Sequence, residues 1–93
     1  MTLLMQPAPA TSAVALEVLF FGAIADIFGS RTRLAIGPEG ASLAELRRRL
    51  SRIGGDAILR SDIRVAVDQT LVHGEATVRP GQEVAFMSPF SGG

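Results

Sequence analysis

Apolar and polar residues alternate along several short stretches of the chain, and this period of two predicts β-strands. In the first stretch, Leu16, Val18 and Phe20 share one face, and Gly22 follows it as a stop signal. The predicted strands are 16–21, 31–36, 63–68, a short segment at 70–72, and 83–87. Two of these strands precede the main helical region of the sequence, and three follow it.

That helical region begins at Ser42, which with Glu45 forms the Ser-x-x-Glu pattern of a capping box. It ends at the glycine pair 54–55. Its apolar stripe has helical spacing and consists of Leu43, Leu46, Leu50 and Ile53. A second, much shorter helical turn is predicted at 23–28. The sequence therefore predicts one main helix.

Four arginines of the main helix lie away from this apolar stripe: Arg47, Arg48, Arg49 and Arg52. Charged residues on a helix usually face water, and we interpret them so. The spacing also predicts an i,i+4 ion pair between Glu45 and Arg49. A docking surface for an acidic partner is the alternative interpretation of the same residues.

One helix can cover only one face of a sheet, so the predicted class is α+β, with four to five strands in a mixed sheet. Residues 14–88 form the predicted domain. Residues 1–13 contain Pro7 and Pro9 and lack a basic segment before a long apolar run, so we expect a disordered leader rather than a signal peptide. Residues 89–93 are the predicted flexible Gly-Gly tail.

The face of the sheet without a helix is predicted to expose an apolar patch. Its members alternate with the core positions of the first and last strands and are Leu19, Phe21, Ala85 and Met87. Exposed apolar patches usually mark interfaces. We therefore expect a protein partner at this face, next to the exit of the tail.

Composition excludes several classes of function. The chain has 93 residues, nine basic and nine acidic, so its net charge is zero and it lacks a field that would attract nucleic acid or anionic membranes. It has no cysteine, which excludes disulfides and thiolate metal sites. Its one histidine, His73, stands beside a glycine in a predicted turn. We find no metal set and no nucleophile–base pair.

The last six residues of the chain have the composition of an extended segment that could enter a pocket. Pro89 cannot donate a ladder hydrogen bond and ends the last strand. The six residues from Ser88 to Gly93 reach roughly 20 Å when extended, at about 3.3–3.6 Å per residue. Gly92 and Gly93 have no Cβ and can pass through a narrow channel. This pattern favours a tail that enters a pocket on another protein.

The order of elements and several motifs together resemble the small, sulfur-carrier subunits of molybdopterin synthase, which have the ubiquitin-like β-grasp fold. The resemblance spans roughly residues 16–93. Its motifs are Leu19-Phe20-Phe21-Gly22, Gly29 after the short helix, Val67-Asp68-Gln69 and the ending Pro80-Gly81-Gln82-Glu83-Val84-Ala85-Phe86…Pro89-Phe90-Ser91-Gly92-Gly93. Two features depart from the family pattern: the leader, and Met87-Ser88 where members often have an aromatic residue or proline.

The resemblance implies a role for the Gly93 carboxylate, which would be adenylated by an E1-like adenylyltransferase and then converted to a thiocarboxylate with the help of a sulfur donor protein. The activating enzyme would use ATP and magnesium, and the chain itself would hold no permanent cofactor or metal. The resemblance also implies that Gly92, next to the terminal carboxylate, is part of the catalytic end of the chain. Partner contacts are expected from Phe21, Leu19, Phe86, Met87, Pro89, Phe90 and Ser91.

The implied partner is the large subunit, in a cytoplasmic heterotetramer that has the catalytic pocket on the large subunit. The sulfur recipient would be cyclic pyranopterin monophosphate. Two alternatives stay open at this point: a sulfur carrier for thiamine thiazole synthesis, and a ubiquitin-like protein modifier or interaction domain.

Overall fold

A computed structural model of the protein describes residues 14–89. Its first half contains β1 (Val14–Phe21), a 3₁₀ turn (Gly22–Ile24), α1 (Ala25–Phe28), β2 (Arg31–Ile36), β3 (Ala41–Ser42) and α2 (Leu43–Gly54). Its second half contains a 3₁₀ turn (Asp56–Leu59), β4 (Arg64–Val67), β5 (Thr70–Val72), β6 (Thr77–Val78) and β7 (Glu83–Met87). The α+β class with one main helix is confirmed.

Five of these strands form one mixed sheet in the order β2-β1-β7-β4-β5. β1 pairs antiparallel with β2 and parallel with β7, while β4 pairs antiparallel with both β7 and β5. The first and last strands of the sheet are therefore neighbours at its centre. Because they are parallel, they end at the same edge of the sheet.

The core lies between this sheet and α2. Phe20 is central to it, because its ring stacks on that of Phe28 at 4.8 Å and on that of Phe86 at 6.0 Å. Leu46 and Leu50 of α2 are fully buried in the same cluster. Burial of large apolar side chains on both layers provides the main stabilisation of a domain this small.

The capping of α2 is confirmed at its first turn, where the amide of Glu45 donates to the Ser42 hydroxyl at 3.0 Å. The helix ends at Gly54, as predicted, but the prediction that Ile53 belongs to its buried apolar stripe is wrong, since Ile53 is 66% exposed. Gly54 contacts α1 there, because a Cβ on Gly54 would lie 2.6 Å from the Phe28 ring. The helix end approaches α1 through this glycine, and Ile53 stays outside the core.

The arginines of α2 differ from their predicted roles. Glu45 pairs with Arg48 at 2.7 Å, one position earlier than expected. The Arg49 guanidinium donates instead to the carbonyl of Ala35 at 2.7 Å. Arg49 therefore links the helix to the edge strand β2, and that contact explains the missing i,i+4 pair.

Arg47 also has a structural role. Its guanidinium donates to the carbonyls of Ile58 at 2.9 Å and Ile63 at 3.3 Å, and lies 5.6 Å from the centre of the Phe86 ring. These contacts join α2, the 3₁₀ turn after it and β7. The two arginines that remain most exposed, Arg48 and Arg52, fit the solvent-facing interpretation.

Two tight turns follow β4. Asp68 and Gln69 have positive φ angles of 49° and 68°, as a two-residue hairpin turn requires. The amide of Gln82 donates to the carbonyl of Arg79 at 3.1 Å, and Gly81 has φ 89°, as in a type II turn. The pairing of β3 with β6 in a small second sheet was not predicted.

Within residues 14–89, none of the helices is long and apolar enough to span a membrane. The predicted leader, 1–13, lies outside the described residues, as do the last four positions of the tail, 90–93.

Candidate functional site at the root of the tail

The point at which the chain leaves the sheet is held by Ser88, directly after β7. The amide of Ser88 donates to the carbonyl of Phe21 at 3.0 Å. Its hydroxyl accepts from the amide of Ile24 at 3.0 Å and lies 3.2 Å from the carbonyl of Phe21, to which it can donate. The end of β7 is thus tied both to the end of β1 and to the turn that follows β1.

Gly22 makes this close approach possible. Its φ is +82°, a conformation that favours glycine. A Cβ at this position would lie 2.5 Å from the Ser88 hydroxyl oxygen and 2.9 Å from the Ser88 carbonyl oxygen. Any larger residue would therefore displace Ser88 and the root of the tail. The sequence marked Gly22 as a strand stop, and the structure shows this additional requirement.

The face of the sheet opposite α2 has an apolar patch, as predicted. The strand registers place Leu19 beside Ala85, Ala85 beside Ala66, and Ala66 beside Leu71. A second, shorter row pairs Phe21 with Met87 and lies nearer the tail. We call this surface the outer patch; its members are Leu19, Phe21, Ala66, Leu71, Ala85 and Met87.

Exposure within the outer patch is greatest at Phe21 and Leu71, whose side chains are 52% and 49% exposed. Arginines border it on both sides: Arg31 lies opposite Leu19 on β2, and Arg64 lies opposite Met87 on β4. An apolar centre with a charged rim is the usual arrangement of a protein-binding surface.

An open cleft of about 430 Å³ also borders the tail root, and it shares Leu71 and Arg64 with the outer patch and its rim. Its lining includes Pro89, Arg47, Arg64 and His73. Pro89 itself is exposed. The tail root therefore adjoins both the outer patch and a cleft whose lining contains basic residues and Asp62.

Comparison with known proteins defines the family. The family model described as "ThiS family" matches residues 18–93. The chain belongs to the ThiS family. One relative of this ThiS-family protein is the molybdopterin synthase sulfur carrier subunit of Haemophilus influenzae, which is 31% identical over 81 residues, or 84% of this chain and 99% of that protein. The resemblance predicted from the sequence is thereby confirmed.

A solved structure confirms the fold of this ThiS-family chain. The solution structure of the Haloferax volcanii HVO 2177 protein matches it with a TM-score of 0.69 and 17% identity, covering 88% of this chain and 89% of that one. At this identity the likeness concerns the fold alone. Together with the five-stranded mixed sheet and single main helix, it supports the predicted ubiquitin-like β-grasp.

The structure places three of the predicted contact residues, Leu19, Phe21 and Met87, together in the outer patch, with Pro89 at the tail root. Phe86 is different. It is fully buried, beneath Phe20 and Arg47, so its side chain offers a partner no surface, and we correct the expectation of a direct contact. Its alternation within β7 had already placed it on the core face.

The remaining predicted site residues of the ThiS-family chain, Phe90, Ser91, Gly92 and Gly93, lie outside the described residues. The structure adds residues that the sequence reasoning missed, namely Ser88 and Gly22 at the root and Ala66 and Leu71 in the outer patch. Ala66 could have been found from the alternation in β4 once β4 was known to neighbour β7, and Leu71 from its pairing with Ala66 in the β4–β5 hairpin. The Ser88 contacts carried no sequence signal.

Proposed function

We propose that this ThiS-family protein is a sulfur carrier in molybdenum cofactor biosynthesis. The observation that supports this most is the alignment with the Haemophilus influenzae molybdopterin synthase sulfur carrier subunit, which spans 99% of that protein. The family match, which runs through the Gly-Gly ending to residue 93, supports it further. The proposed working group is the carboxylate of Gly93.

The proposed chemistry has two steps at Gly93. The carboxylate attacks ATP on an E1-like adenylyltransferase, giving an acyl-adenylate and pyrophosphate, with magnesium supplied by that enzyme. A sulfur donor protein then delivers sulfur at the oxidation level of sulfide, which forms the C–S bond as the bond to AMP breaks, and a thiocarboxylate is left. A thiolate-type sulfur is a far better nucleophile than a carboxylate oxygen, and the carrier needs no general base of its own.

The proposed recipient is cyclic pyranopterin monophosphate, bound in the large subunit of molybdopterin synthase. The outer patch supports this assignment, because it offers a partner an apolar surface beside the tail root. Gly93 and Gly92 would enter the partner's pocket while Leu19, Phe21 and Met87 contact its surface. We propose Pro89, Phe90 and Ser91 as the contacts within the channel.

In this proposal the catalytic pocket belongs to the large subunit, and the assembly is a heterotetramer of two small and two large subunits in the cytoplasm. The carrier acts as the sulfur-donating subunit of a sulfurtransferase. Light scattering of the mixed subunits should give the mass of the heterotetramer, whereas separate monomers would count against it.

A genetic experiment tests the proposed function. Bacteria that lack their own small subunit would express either the complete chain or a variant without Gly93, and nitrate reduction that depends on molybdenum cofactor would be assayed. We expect activity from the complete chain alone. Failure of both chains, each present as a folded protein, would contradict the assignment.

The ThiS family match also fits the thiamine alternative, in which the same tail donates sulfur to thiazole synthesis. The Haemophilus influenzae relative favours molybdenum cofactor instead. Parallel complementation of a thiazole-requiring strain distinguishes them. A ubiquitin-like modifier would be revealed by the C-terminus joined to lysines of other proteins.

A further inference from the structure

Ser88 is held by a main-chain hydrogen bond and also by a hydrogen bond of its side chain. The parallel ladder between β1 and β7 ends at the pair Phe21 and Met87. One residue later, the Ser88 amide continues the attachment to Phe21. The Ser88 hydroxyl then reaches across to the Ile24 amide, on the turn beyond the strand. The chain is therefore held on two sides immediately before Pro89.

The Ile24 amide lies near the start of a helical segment, where main-chain donors have no partner within the helix. Ile24 itself is buried, 2% exposed, so water is a poor substitute for the missing acceptor. The Ser88 hydroxyl supplies that acceptor at 3.0 Å. An alanine at position 88 would leave the amide unpaired and keep only the attachment to Phe21.

We propose that Ser88 is a positioning residue, whose hydroxyl fixes the place and direction in which the tail leaves the sheet. This inference rests on the proposed function. Five residues follow Ser88, so the carboxylate of Gly93 can reach about 17 Å from it at ~3.3–3.6 Å per residue. The position of Ser88 thus determines where the sulfur of the loaded tail can arrive.

The reach matters because group transfer depends steeply on geometry. A displacement of about 1 Å at the reacting atoms can lower a rate by about a hundredfold. With Ser88→Ala, Met87 would stay paired in the sheet, but residue 88 itself would keep only its main-chain bond to Phe21, so the chain after it could leave in a wider range of directions. The sulfur would then spend less time in the reactive position, although the carrier would remain folded and able to bind its partner.

The test compares three variants in sulfur transfer by the reconstituted synthase with thiocarboxylated carrier. Ser88→Ala should lower kcat by about tenfold or more, with KM changed by less than about threefold. Ser88→Thr keeps a hydroxyl and should restore most of the rate. Ser51→Ala is the matched control, because it removes a serine hydroxyl bond to the Arg48 carbonyl far from the tail, and it should transfer sulfur normally.

A second measurement does not depend on activity. Hydrogen exchange of the Ile24 amide should be at least about tenfold faster in Ser88→Ala than in the wild type or in Ser88→Thr, since its acceptor is lost. Unchanged Ile24 exchange in Ser88→Ala would overturn the inference. So would a wild-type rate of transfer from Ser88→Ala, or equal losses in the alanine and threonine variants.

The outcomes for the carrier function and for Ser88 are distinguishable. If the wild type and Ser51→Ala transfer sulfur and Ser88→Ala does so equally well, the positioning role alone is wrong. If the wild type transfers no sulfur at all, the proposed function is wrong, and the positioning role is rejected with it.

Discussion

At the scale of single residues, the two aromatic rings at positions 20 and 21 have opposite roles. Phe20 is 2% exposed and stacks between the rings of Phe28 and Phe86. Phe21 points to the other face of the sheet and is 52% exposed. Adjacent residues of one strand thus lie on the buried and the exposed face of the sheet, as the pleat of a β-strand requires.

The first prediction follows from this pair. Phe20→Ala should lower the free energy of unfolding by about 3–5 kcal/mol, because it removes a buried ring and leaves a cavity among its neighbours. Urea denaturation followed by circular dichroism measures the change. Phe21→Ala is the matched control and should cost less than about 1 kcal/mol. Equal costs for both variants would contradict the assignment of the two faces.

At the scale of elements, α2 shows how local signals produce the observed structure. Its N-cap was predictable because Ser42 can satisfy a helix amide within the same turn, and the observed 3.0 Å bond confirms it. Its end at the glycine pair was predictable too, because Gly54 is the last helical residue and Gly55 is the C-cap. The orientation of Ile53 in the last turn was not predictable. There, Ile53 matches the helical spacing, yet tertiary contact of Gly54 with α1 decides which residue faces inward.

The cap provides the second prediction. Ser42→Ala should lower the free energy of unfolding by about 1 kcal/mol, since it leaves the Glu45 amide without its acceptor. Ser51→Ala, later in the same helix, should be neutral or slightly stabilising, because alanine has the higher helix propensity. Thermal denaturation of both variants provides the comparison. An unchanged melting temperature for Ser42→Ala would contradict the importance of the cap.

The same contrast between local and distant causes applies to the sheet and the tail root. Alternation predicted β1, β2, β4 and β7 and the faces of their side chains, because a period of two can be seen within a few consecutive residues. The pairing of β3 with β6 joins residues far apart in the chain and has almost no periodic pattern. The hydrogen bond between Ser88 and Ile24 also joins residues that are 64 positions apart in the chain, so only the folded structure reveals it.

At the scale of the whole molecule, the tail root and the Phe21–Met87 end of the outer patch lie together because β1 and β7 are parallel neighbours. Their shared end places Phe21 and Met87 beside each other and directs the chain out from the same edge. The opposite face of the sheet is covered by α2. This arrangement lets one face provide the stable core while the other is available to a partner.

The third prediction tests that use of the outer patch. Phe21→Asp should weaken binding to the molybdopterin synthase large subunit by about tenfold or more, because it buries a charge in an apolar contact. Calorimetry measures the affinity, and circular dichroism verifies the fold. Ile53→Asp, at an exposed site away from the sheet, is the control. Equal affinities for the two variants would place the interface elsewhere.

The central claim is that Gly93 carries sulfur, and the intact mass of the protein tests it most directly. The complete chain, isolated after reaction with an E1-like adenylyltransferase, ATP, magnesium and a sulfur donor protein, should gain the mass of one oxygen-to-sulfur exchange. The gain should map to the C-terminal peptide, depend on ATP, and be absent from a variant without Gly93. A complete chain that is adenylated but never gains sulfur, or that gains it at another residue, would contradict the account.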